Sequence, residues 1–215
     1  IMKFLTNNNR IELLERQRYD LELWNWLEAF YEDGIIGDNL EKVININYEA
    51  YNICYYNRTR ERVNRQYMNH FKTSDAVYLG HTKKDDDDKA SDVYIYENLP
   101  VMAIVNKLKA SKKSDLKQAL YCNSDTMRVV SFNKDIITMK LDIADEFGND
   151  IVEVKYSDFH KSFVCNYCST THKNQGATIT QKIQLWDWNK MTEERRIAYT
   201  AVSRGKKIQQ ITIVV

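Results

Sequence analysis

Short β-favouring runs, separated by polar turns, fill the middle of this chain from residue 93 to residue 163, whereas helical patterns lie on either side. Apolar residues recur at helical spacing within residues 10 to 34 and again within residues 57 to 71. A compact β-favouring run, residues 51 to 56, directly precedes the second helical pattern. A strand followed at once by a helix is typical of α/β proteins, so we expect an α/β domain interrupted by a β-rich segment.

The last quarter of the chain returns to the α/β pattern. A strand-like run ends near Ser169 and leads into the polar turn "TTHKNQG", residues 170 to 176. A second strand is predicted at 183 to 188, a helix at 192 to 204 and a final strand at 208 to 215. Ligands of open α/β sheets bind beyond the carboxyl ends of the strands, which makes the turn after Ser169 a candidate site.

The composition excludes only a few classes of protein. The net charge is +1, from 31 basic and 30 acidic residues, so a nucleic-acid-binding function has to rest on local clusters rather than on the overall charge. No run approaches eighteen apolar residues, and we therefore expect no membrane span and no membrane partner. The four cysteines are too sparse for a secreted disulfide scaffold, which favours an intracellular, reducing compartment.

Two of the cysteines have a spacing that allows metal binding. Cys165 and Cys168 are separated by two residues, and His172 follows, which permits a zinc site. However, both cysteines lie in a strand-like run, where positions three apart point to opposite faces. Buried structural thiols are the favoured interpretation, and we predict no metal site.

The turn after Ser169 carries groups that can bind phosphate. Thr171 and the backbone N–H groups of the turn can donate hydrogen bonds, while His172 and Lys173 add side-chain donors. Gly176 allows the main chain to approach a ligand closely. A surface loop of incidental polarity is the alternative.

An arginine extends the apolar stripe of the last helix. Ile197, Ala201 and Arg204 lie at helical positions i, i+4 and i+7, so the guanidinium of Arg204 continues a core-facing stripe. A guanidinium that reaches from the end of such an element into a cleft can stabilise charge during phosphoryl transfer. The alternative is a structural arginine that pairs with Asp187 or Glu193, or caps a helix end.

Several segments together resemble superfamily 1 DNA helicases of the Pif and RecD type (superfamily 1B-like), and the compact motif V is similar to that of viral helicases from large DNA viruses. "TTHKNQGATI" resembles motif V and "YTAVSRGKK" resembles motif VI, with a strand between them as in the family. "YNICYYNRTRERVN" is similar to motif IV, and "LLERQRYD" resembles the segment after motif III. "PVMAIVNK" and "LYCNSDTMRVVSF" resemble a Val-Met strand and a turn, although Asn123-Ser124 stands where the family often has Asn-Gly.

The resemblance implies a fold and an activity. The fold would be α/β, with a RecA-like parallel sheet flanked by helices and a small inserted β-barrel of the Src-homology-3 type. The RecA-like domain would comprise residues 1–108 and 163–215, and the barrel residues 109–162. The activity would be that of the C-terminal motor half of an ATP-dependent helicase, which translocates 5′-to-3′ on single-stranded DNA and unwinds duplex in replication or repair.

The family's functional positions fall on nine residues of this chain. On the nucleotide side, the resemblance implies that Arg204 is the arginine finger on the γ-phosphate and that Arg18 reaches the same phosphate. It also implies that Gln175 and Gly176 line the nucleotide cleft or couple it to the path of the DNA. On the nucleic-acid side, it implies that Thr171, His172, Lys173, Asn57 and Arg58 contact or adjoin the single strand. For Arg18, a charge on a helix surface is the alternative.

The expected cofactors are ATP and Mg²⁺, bound mainly by another lobe. The chain contains no G-x-x-x-x-G-K-[ST] motif, so we expect it to pair with an N-terminal RecA-like lobe and to be inactive alone. Further partners would be single-stranded DNA and replication proteins such as a primase. Two alternatives stay open: a nucleic-acid-binding module without catalysis, and a structural domain that docks a replication partner.

Overall fold

The computed structural model describes residues 19–33, 40–81, 91–109, 118–144, 148 and 150–215. Arg18 and the predicted helical residues before it lie outside this part of the chain. The described helices are α1 (Leu21–Asp33), α2 (Asn57–Phe71), α3 (Tyr156–Ser162), α4 (Trp188–Glu193) and α5 (Arg195–Val202). None of these helices is long and apolar enough to span a bilayer.

A five-stranded parallel sheet is formed by strands from both ends of the chain. In spatial order its strands are β1 (Glu41–Val43), β14 (Ile211–Val214), β13 (Ile183–Leu185), β2 (Tyr51–Cys54) and β12 (Cys168–Thr170). Every neighbouring pair in this order is parallel. The sheet and its helices confirm the predicted mixed α/β fold and match the RecA-like arrangement.

Helices cover both faces of the parallel sheet. Successive side chains of a strand point to opposite faces, and in β2 Ile53 packs into one core cluster while Cys54 packs into another. The Ile53 cluster contains buried residues of α1 and α5, and the Cys54 cluster contains Val63 and Tyr67 of α2. We call the parallel sheet with α1, α2, α4 and α5 the parallel half.

Helix α1 shows why its sequence folds as it does. Leu23, Trp26, Leu27 and Phe30 are buried, at the i, i+3, i+4 and i+7 positions of one face. The carboxylate of Asp20 accepts the backbone N–H of Leu23 at 2.9 Å and so caps the helix start. Trp26 stacks on Phe30 at 5.1 Å between ring centroids.

The β-rich middle forms an antiparallel sheet of five strands. In spatial order these are β10 (Ile151–Lys155), β9 (Ile136–Leu141), β8 (Thr126–Phe132), β5 (Pro100–Ala103) and β11 (Phe163–Cys165). Two hairpins accompany it, β3 (Val77–Leu79) with β4 (Val93–Ile95) and β6 (Lys107–Lys109) with β7 (Gln118–Tyr121). We call strands β3 to β11 together with α3 the antiparallel half.

The antiparallel sheet extends past the predicted insert. Strands β5 and β11 both belong to it, yet they lie outside residues 109–162. The division into a RecA-like domain and a barrel stays a prediction.

Two predicted elements are each divided in the structure. The single strand predicted through "KSFVCNYCS" is two strands, because β11 ends at Cys165 in the antiparallel sheet and β12 begins at Cys168 in the parallel sheet. The helix predicted over 192 to 204 is interrupted at Glu194, which is extended (φ −119°, ψ 91°), and it ends at Val202.

Candidate functional site

Three neighbouring strands of the parallel sheet deliver their loops to one edge. Strands β12, β2 and β13 run in the same direction, so the segments that follow Thr170, Cys54 and Leu185 lie together at what we call the carboxyl edge. The predicted site residues therefore come from two adjacent segments of this edge: Asn57 and Arg58 follow β2, and residues 171–176 follow β12.

The turn after β12, residues 170–177, has a defined backbone. Thr171–Asn174 forms one turn of 3-10 helix, and the N–H of Ala177 donates to the carbonyl of Asn174 at 3.1 Å. Gly176 has φ +86°, in the left-handed region that favours glycine. A Cβ at this position would meet no atom within 4 Å, so the backbone conformation and not packing requires glycine. Gln175 and Gly176 are both exposed.

A closed set of buried hydrogen bonds fixes this turn to the sheet. The side-chain amide of Asn174 donates to Ser169 Oγ at 2.6 Å, and the hydroxyl of Tyr51 donates to Asn174 Oδ1 at 3.0 Å. Tyr51 and Ser169 share a further hydrogen bond at 2.9 Å. Burial raises the pKa of Tyr51 to about 12, so its hydroxyl keeps the proton that it donates. The turn is held from inside by side chains of β2 and β12.

Arg204 joins the last helix to the same turn. Its Nη1 donates to the carbonyls of Asn174 and Ala177, both at 3.1 Å, while Nε donates to the carbonyl of Thr200 at 2.8 Å. Nη2 donates to Ser203 Oγ at 2.8 Å, and the residue is 7% exposed. The predicted core-facing direction of Arg204 is confirmed, although α5 ends two residues before it. Its role on a phosphate stays a prediction.

The segment that follows Arg18 lies against the Arg204 end of α5. The hydroxyl of Tyr19 donates to the carbonyl of Ser203 at 3.3 Å, and the N–H of Asp20 donates to the carbonyl of Lys206 at 2.9 Å. Arg18 itself is outside the described residues. The two neighbouring residues nevertheless bring this stretch of chain to the segment that holds Arg204.

The three predicted nucleic-acid contacts of the turn differ in exposure. The side chain of Thr171 is buried, and its hydroxyl donates to the carbonyl of Cys54 at 3.4 Å. His172 is exposed, and Lys173 is half-buried with its Nζ 3.0 Å from Asn123 Oδ1. The Thr171 hydroxyl thus supports the turn from within, whereas His172 and Lys173 lie at its surface.

The second predicted pair begins helix α2. Asn57 and Arg58 are exposed, and the guanidinium carbon of Arg58 lies 4.6 Å from the ring centre of Tyr56. Asp187, which follows β13, positions this helix start. Its carboxylate accepts the N–H groups of Tyr55 and Tyr56 at 3.2 and 3.1 Å.

The carboxylates considered as partners for Arg204 bind other groups. Asp187 holds the start of α2 through Tyr55, Tyr56 and the hydroxyl of Thr59 at 2.9 Å. Glu193 forms an ion pair with Lys190, three residues before it in the chain.

Cys165 and Cys168 are buried free thiols, as the sequence predicts. Burial raises the pKa of Cys165 to about 12 and that of Cys168 well above its usual value, so both stay protonated. Among the described residues, no group of three or more histidine, cysteine or acidic side chains could hold a metal ion.

Asn64 of α2 holds the crossing between the two sheets. Its Nδ2 donates to the carbonyls of Cys165 and Cys168, both at 3.1 Å, and its Oδ1 accepts the N–H of Cys168 at 2.8 Å. Sequence reasoning gave no role to Asn64, Ser169, Asn174 or Tyr51, and it considered Asp187 only as a partner for Arg204. The one available signal was that Asn64 is the last residue of the segment similar to motif IV.

The fold is shared with solved Pif1 helicases. The TM-score is 0.62 with a Bacteroides Pif1 helicase in complex with ADP-AlF3 and single-stranded DNA, at 18% identity over 95% of this chain and 52% of that chain. For Bacteroides Pif1 bound to single-stranded DNA it is 0.59, at 18% identity over 92% and 50% of the two chains. For Candida albicans Pif1 it is 0.54, at 15% identity over 89% and 53%.

These likenesses concern the fold, since all three identities are low. The chain spans about half the length of the Pif1 chains that it matches. No protein-family model and no curated protein sequence gives a significant match to this chain.

Proposed function

We propose that this chain is the C-terminal motor half of an ATP-dependent DNA helicase that translocates 5′-to-3′ on single-stranded DNA and unwinds duplex. The observation that carries the proposal is the set of hydrogen bonds from Arg204 to the carbonyls of Asn174 and Ala177. These bonds link the predicted nucleotide-sensing arginine to the turn that bears His172 and Lys173. A motor needs such a link, because a change at the nucleotide has to reach the strand.

On the nucleotide side, Arg204 and Arg18 are the residues of this chain that would hold the γ-phosphate, next to Gln175 and Gly176. The contacts of Tyr19 and Asp20 with residues 203 and 206 support a shared location for the two arginines. Mg²⁺ and the remaining phosphates would be held by an N-terminal RecA-like lobe, with the metal ion neutralising charge on the phosphate oxygens. When the two lobes close, the guanidinium of Arg204 would exchange main-chain carbonyls for phosphate oxygens.

On the nucleic-acid side, exposed His172, Asn57 and Arg58 and half-buried Lys173 provide polar groups at the carboxyl edge. Phosphate contacts of this kind bind single strands with little sequence preference and weaken as salt rises. The hydrogen bond from Lys173 to Asn123 ties this surface to the antiparallel half. Residues 109–162 of that half would form the inserted Src-homology-3-like barrel, which would guide the strand or wedge the duplex.

The proposed setting is DNA replication or repair in an intracellular, reducing compartment, with a primase among possible partners. All four cysteines are free thiols, which is compatible with that compartment. A host cytoplasm and a large DNA virus as the source belong to the same proposal.

The test is an Arg204→Ala substitution in the protein that joins this chain to its N-terminal lobe. Loss of an arginine finger lowers ATP turnover by about 10³-fold or more, and we expect DNA binding to change little. Arg196→Ala, at an exposed position of α5, is the matched control and should leave turnover unchanged. Arg204→Lys retains the charge but not the two-pronged donor, so it should fold and yet stay slow.

A second candidate is a nucleic-acid-binding module that has kept the fold without hydrolysing ATP. The burial of Arg204 and its bonds to main-chain carbonyls favour it, because a purely structural arginine would have the same contacts. Unchanged ATP turnover in folded Arg204→Ala protein, measured beside intact DNA binding, would select this candidate.

A further inference from the structure

The outer face of helix α2 is strongly basic. Arg58, Arg62 and Arg65 lie at positions i, i+4 and i+7, and all three are exposed. The opposite face of the helix buries Val63 and Tyr67 against the sheet. At a rise of about 1.5 Å per residue, the three arginines extend over about 10 Å of the helix. We call these three residues the arginine face.

The arginine face borders a shallow groove of about 640 Å³. The groove is also lined by Tyr48, Gln66, Asn69 and His70. Tyr48 and His70 stack with their ring centres 3.7 Å apart, which fixes one end of the groove. The arginines therefore border a groove that a stacked aromatic pair bounds at one end.

Two of the arginines are held in place by aromatic rings. The guanidinium of Arg58 lies 4.6 Å from the ring centre of Tyr56, and that of Arg62 lies 5.1 Å from the ring centre of Trp186. A guanidinium that rests its flat side on a ring keeps its N–H groups at the edge, where they can donate to an anion. Because the rings restrict these side chains beforehand, less conformational entropy is lost when they bind.

Nearby carboxylates do not neutralise this charge. Glu61 is the one acidic residue that lines the groove, and its carboxylate is 3.7 Å from Nη2 of Arg60. The Asp92 carboxylate accepts the N–H of His81 at 2.8 Å. This hydrogen bond, and to a smaller extent the charge of Arg65, lower the pKa of Asp92. Within the described residues, the groove thus carries three arginines against one glutamate that already has a cationic neighbour.

We infer that the arginine face binds the phosphodiester backbone of single-stranded DNA and continues the path of the strand away from the carboxyl edge. The inference rests on the proposed function. It follows from continuity, because α2 starts with Asn57 and Arg58 at the edge that bears the 170–177 turn. One strand of duplex DNA carries a phosphate about every 3.4 Å, so the face would span about three phosphates at that spacing and about two of a more extended single strand. Guanidinium groups match phosphate oxygens in a two-pronged geometry.

The test compares salt dependence for two oligonucleotides. The protein that joins this chain to its N-terminal lobe would be titrated with fluorescent oligo-dT of about 8 and about 20 nucleotides at several salt concentrations. Each phosphate contact adds about 0.7 to the slope of log K against log salt. We expect the double substitution Arg62→Gln and Arg65→Gln to lower the slope for the longer oligonucleotide by about 1.4 and to leave the shorter one unchanged.

Two controls accompany this test. Arg195→Gln with Arg196→Gln removes the same charge from exposed positions of α5 and should leave both slopes unchanged. Arg62→Lys with Arg65→Lys keeps the charge and should retain most of the slope. Because Arg62 also packs on Trp186, the single substitution Arg65→Gln guards against misfolding and should lower the slope by about 0.7.

The outcomes separate the inference from the function on which it rests. If the wild-type protein binds neither oligonucleotide, the proposed function fails. If it binds both and folded Arg62→Gln, Arg65→Gln protein has an unchanged slope for the longer one, the inference alone is overturned. The face would then be assigned to an acidic polypeptide instead.

Discussion

The two halves of the molecule are built with different cores. Every buried polar or charged residue of the described chain lies within residues 52 to 64 or 166 to 204, which is the parallel half and its junction. Between residues 93 and 165 the buried residues are aliphatic, aromatic or sulphur-containing. The parallel half therefore has directional bonds in its interior, whereas the antiparallel half depends on apolar packing.

The difference shows how the candidate site is supported. A buried polar group is costly unless it is hydrogen-bonded, and its bonds fix direction as well as distance. In the parallel half these groups hold loops: Asn174 holds the 170–177 turn, Asp187 holds the start of α2, and Asn64 holds the crossing into β12. An apolar core requires that its side chains fill the available volume, but it does not fix the directions of their contacts. A core with directional hydrogen bonds is suited to holding a functional site, whereas an apolar core is suited to a supporting sheet.

The largest loss of stability is expected from Asn64→Leu, which tests the comparison at the junction between the two sheets. The substitution removes three hydrogen bonds and leaves the carbonyls of Cys165 and Cys168 and the N–H of Cys168 without this partner. Each orphaned buried group costs about 1–3 kcal/mol, so the free energy of unfolding should fall by at least about 3 kcal/mol. Guanidinium unfolding followed by circular dichroism measures it.

The matched change in the antiparallel half is Met139→Leu. Met139 is fully buried among apolar neighbours, and a volume-conserving exchange there should cost less than about 1.5 kcal/mol. Equal losses for Asn64→Leu and Met139→Leu would contradict the distinction between the two cores.

Asp187→Ala should have the next largest effect. It deprives Tyr55, Tyr56 and Thr59 of their common acceptor and places alanine at φ +59°, which disfavours a Cβ. We expect a loss of about 2–3 kcal/mol. Asp187→Asn keeps an acceptor oxygen and tolerates this backbone, so it should lose about 1 kcal/mol. Thermal unfolding of both variants measures the difference.

The antiparallel half offers a contrasting carboxylate in Asp158. This residue forms an exposed ion pair with Lys161 at 2.7 Å, and Asp158→Ala should leave the unfolding midpoint unchanged, since exposed pairs contribute little. If Asp158→Ala proved as damaging as Asp187→Ala, burial of hydrogen bonds would not explain the stability of the carboxyl edge.

Local pattern was enough to predict much of the fold. The strand before residue 57 and helix α2 lie where β-favouring and helical spacing place them, because both elements bury one regular face. The break between β11 and β12 was not predictable in this way, because "KSFVCNYCS" favours extended structure throughout. Asn64, about a hundred residues earlier, fixes that break through tertiary hydrogen bonds.

The sequence was enough to predict where the candidate site lies, but not which hydrogen bonds hold it together. The rule that parallel strands end at one edge brings the Asn57 and Thr171 segments together. Polar residues near strand ends, such as Ser169 and Asn174, ordinarily indicate exposure. The structure buries them, because Tyr51 crosses from β2 to complete their hydrogen bonds. Ser124 gives a smaller example, because its φ of +78° lies in the left-handed region that favours glycine, and the residue type alone does not predict that conformation.

The smallest change in the free energy of unfolding should come from lowering the pH. It sharpens the comparison because it acts on the antiparallel half alone. None of the buried polar side chains of the parallel half is a carboxylate or an imidazole. In the antiparallel half, burial and then the neighbouring His81 lower the pKa of His160, against the opposing effects of the Leu79 and Gly80 main chain and of Asp92. The folded state thus resists protonation of His160, whereas the unfolded chain accepts a proton near pH 6.5.

The free energy of unfolding should therefore be constant from about pH 6.5 to about pH 8, below the range in which unfolded cysteines ionise, and fall as the pH decreases from about 6.5 through the lowered pKa of His160. His160→Gln should flatten this part of the profile, while His172→Gln, at an exposed position of the carboxyl edge, should leave it as in the wild type. Urea unfolding at a series of pH values measures all three proteins. If His172→Gln flattened the profile and His160→Gln did not, the pH-sensitive group would lie in the parallel half, because the proton would then bind at the 170–177 turn rather than within α3.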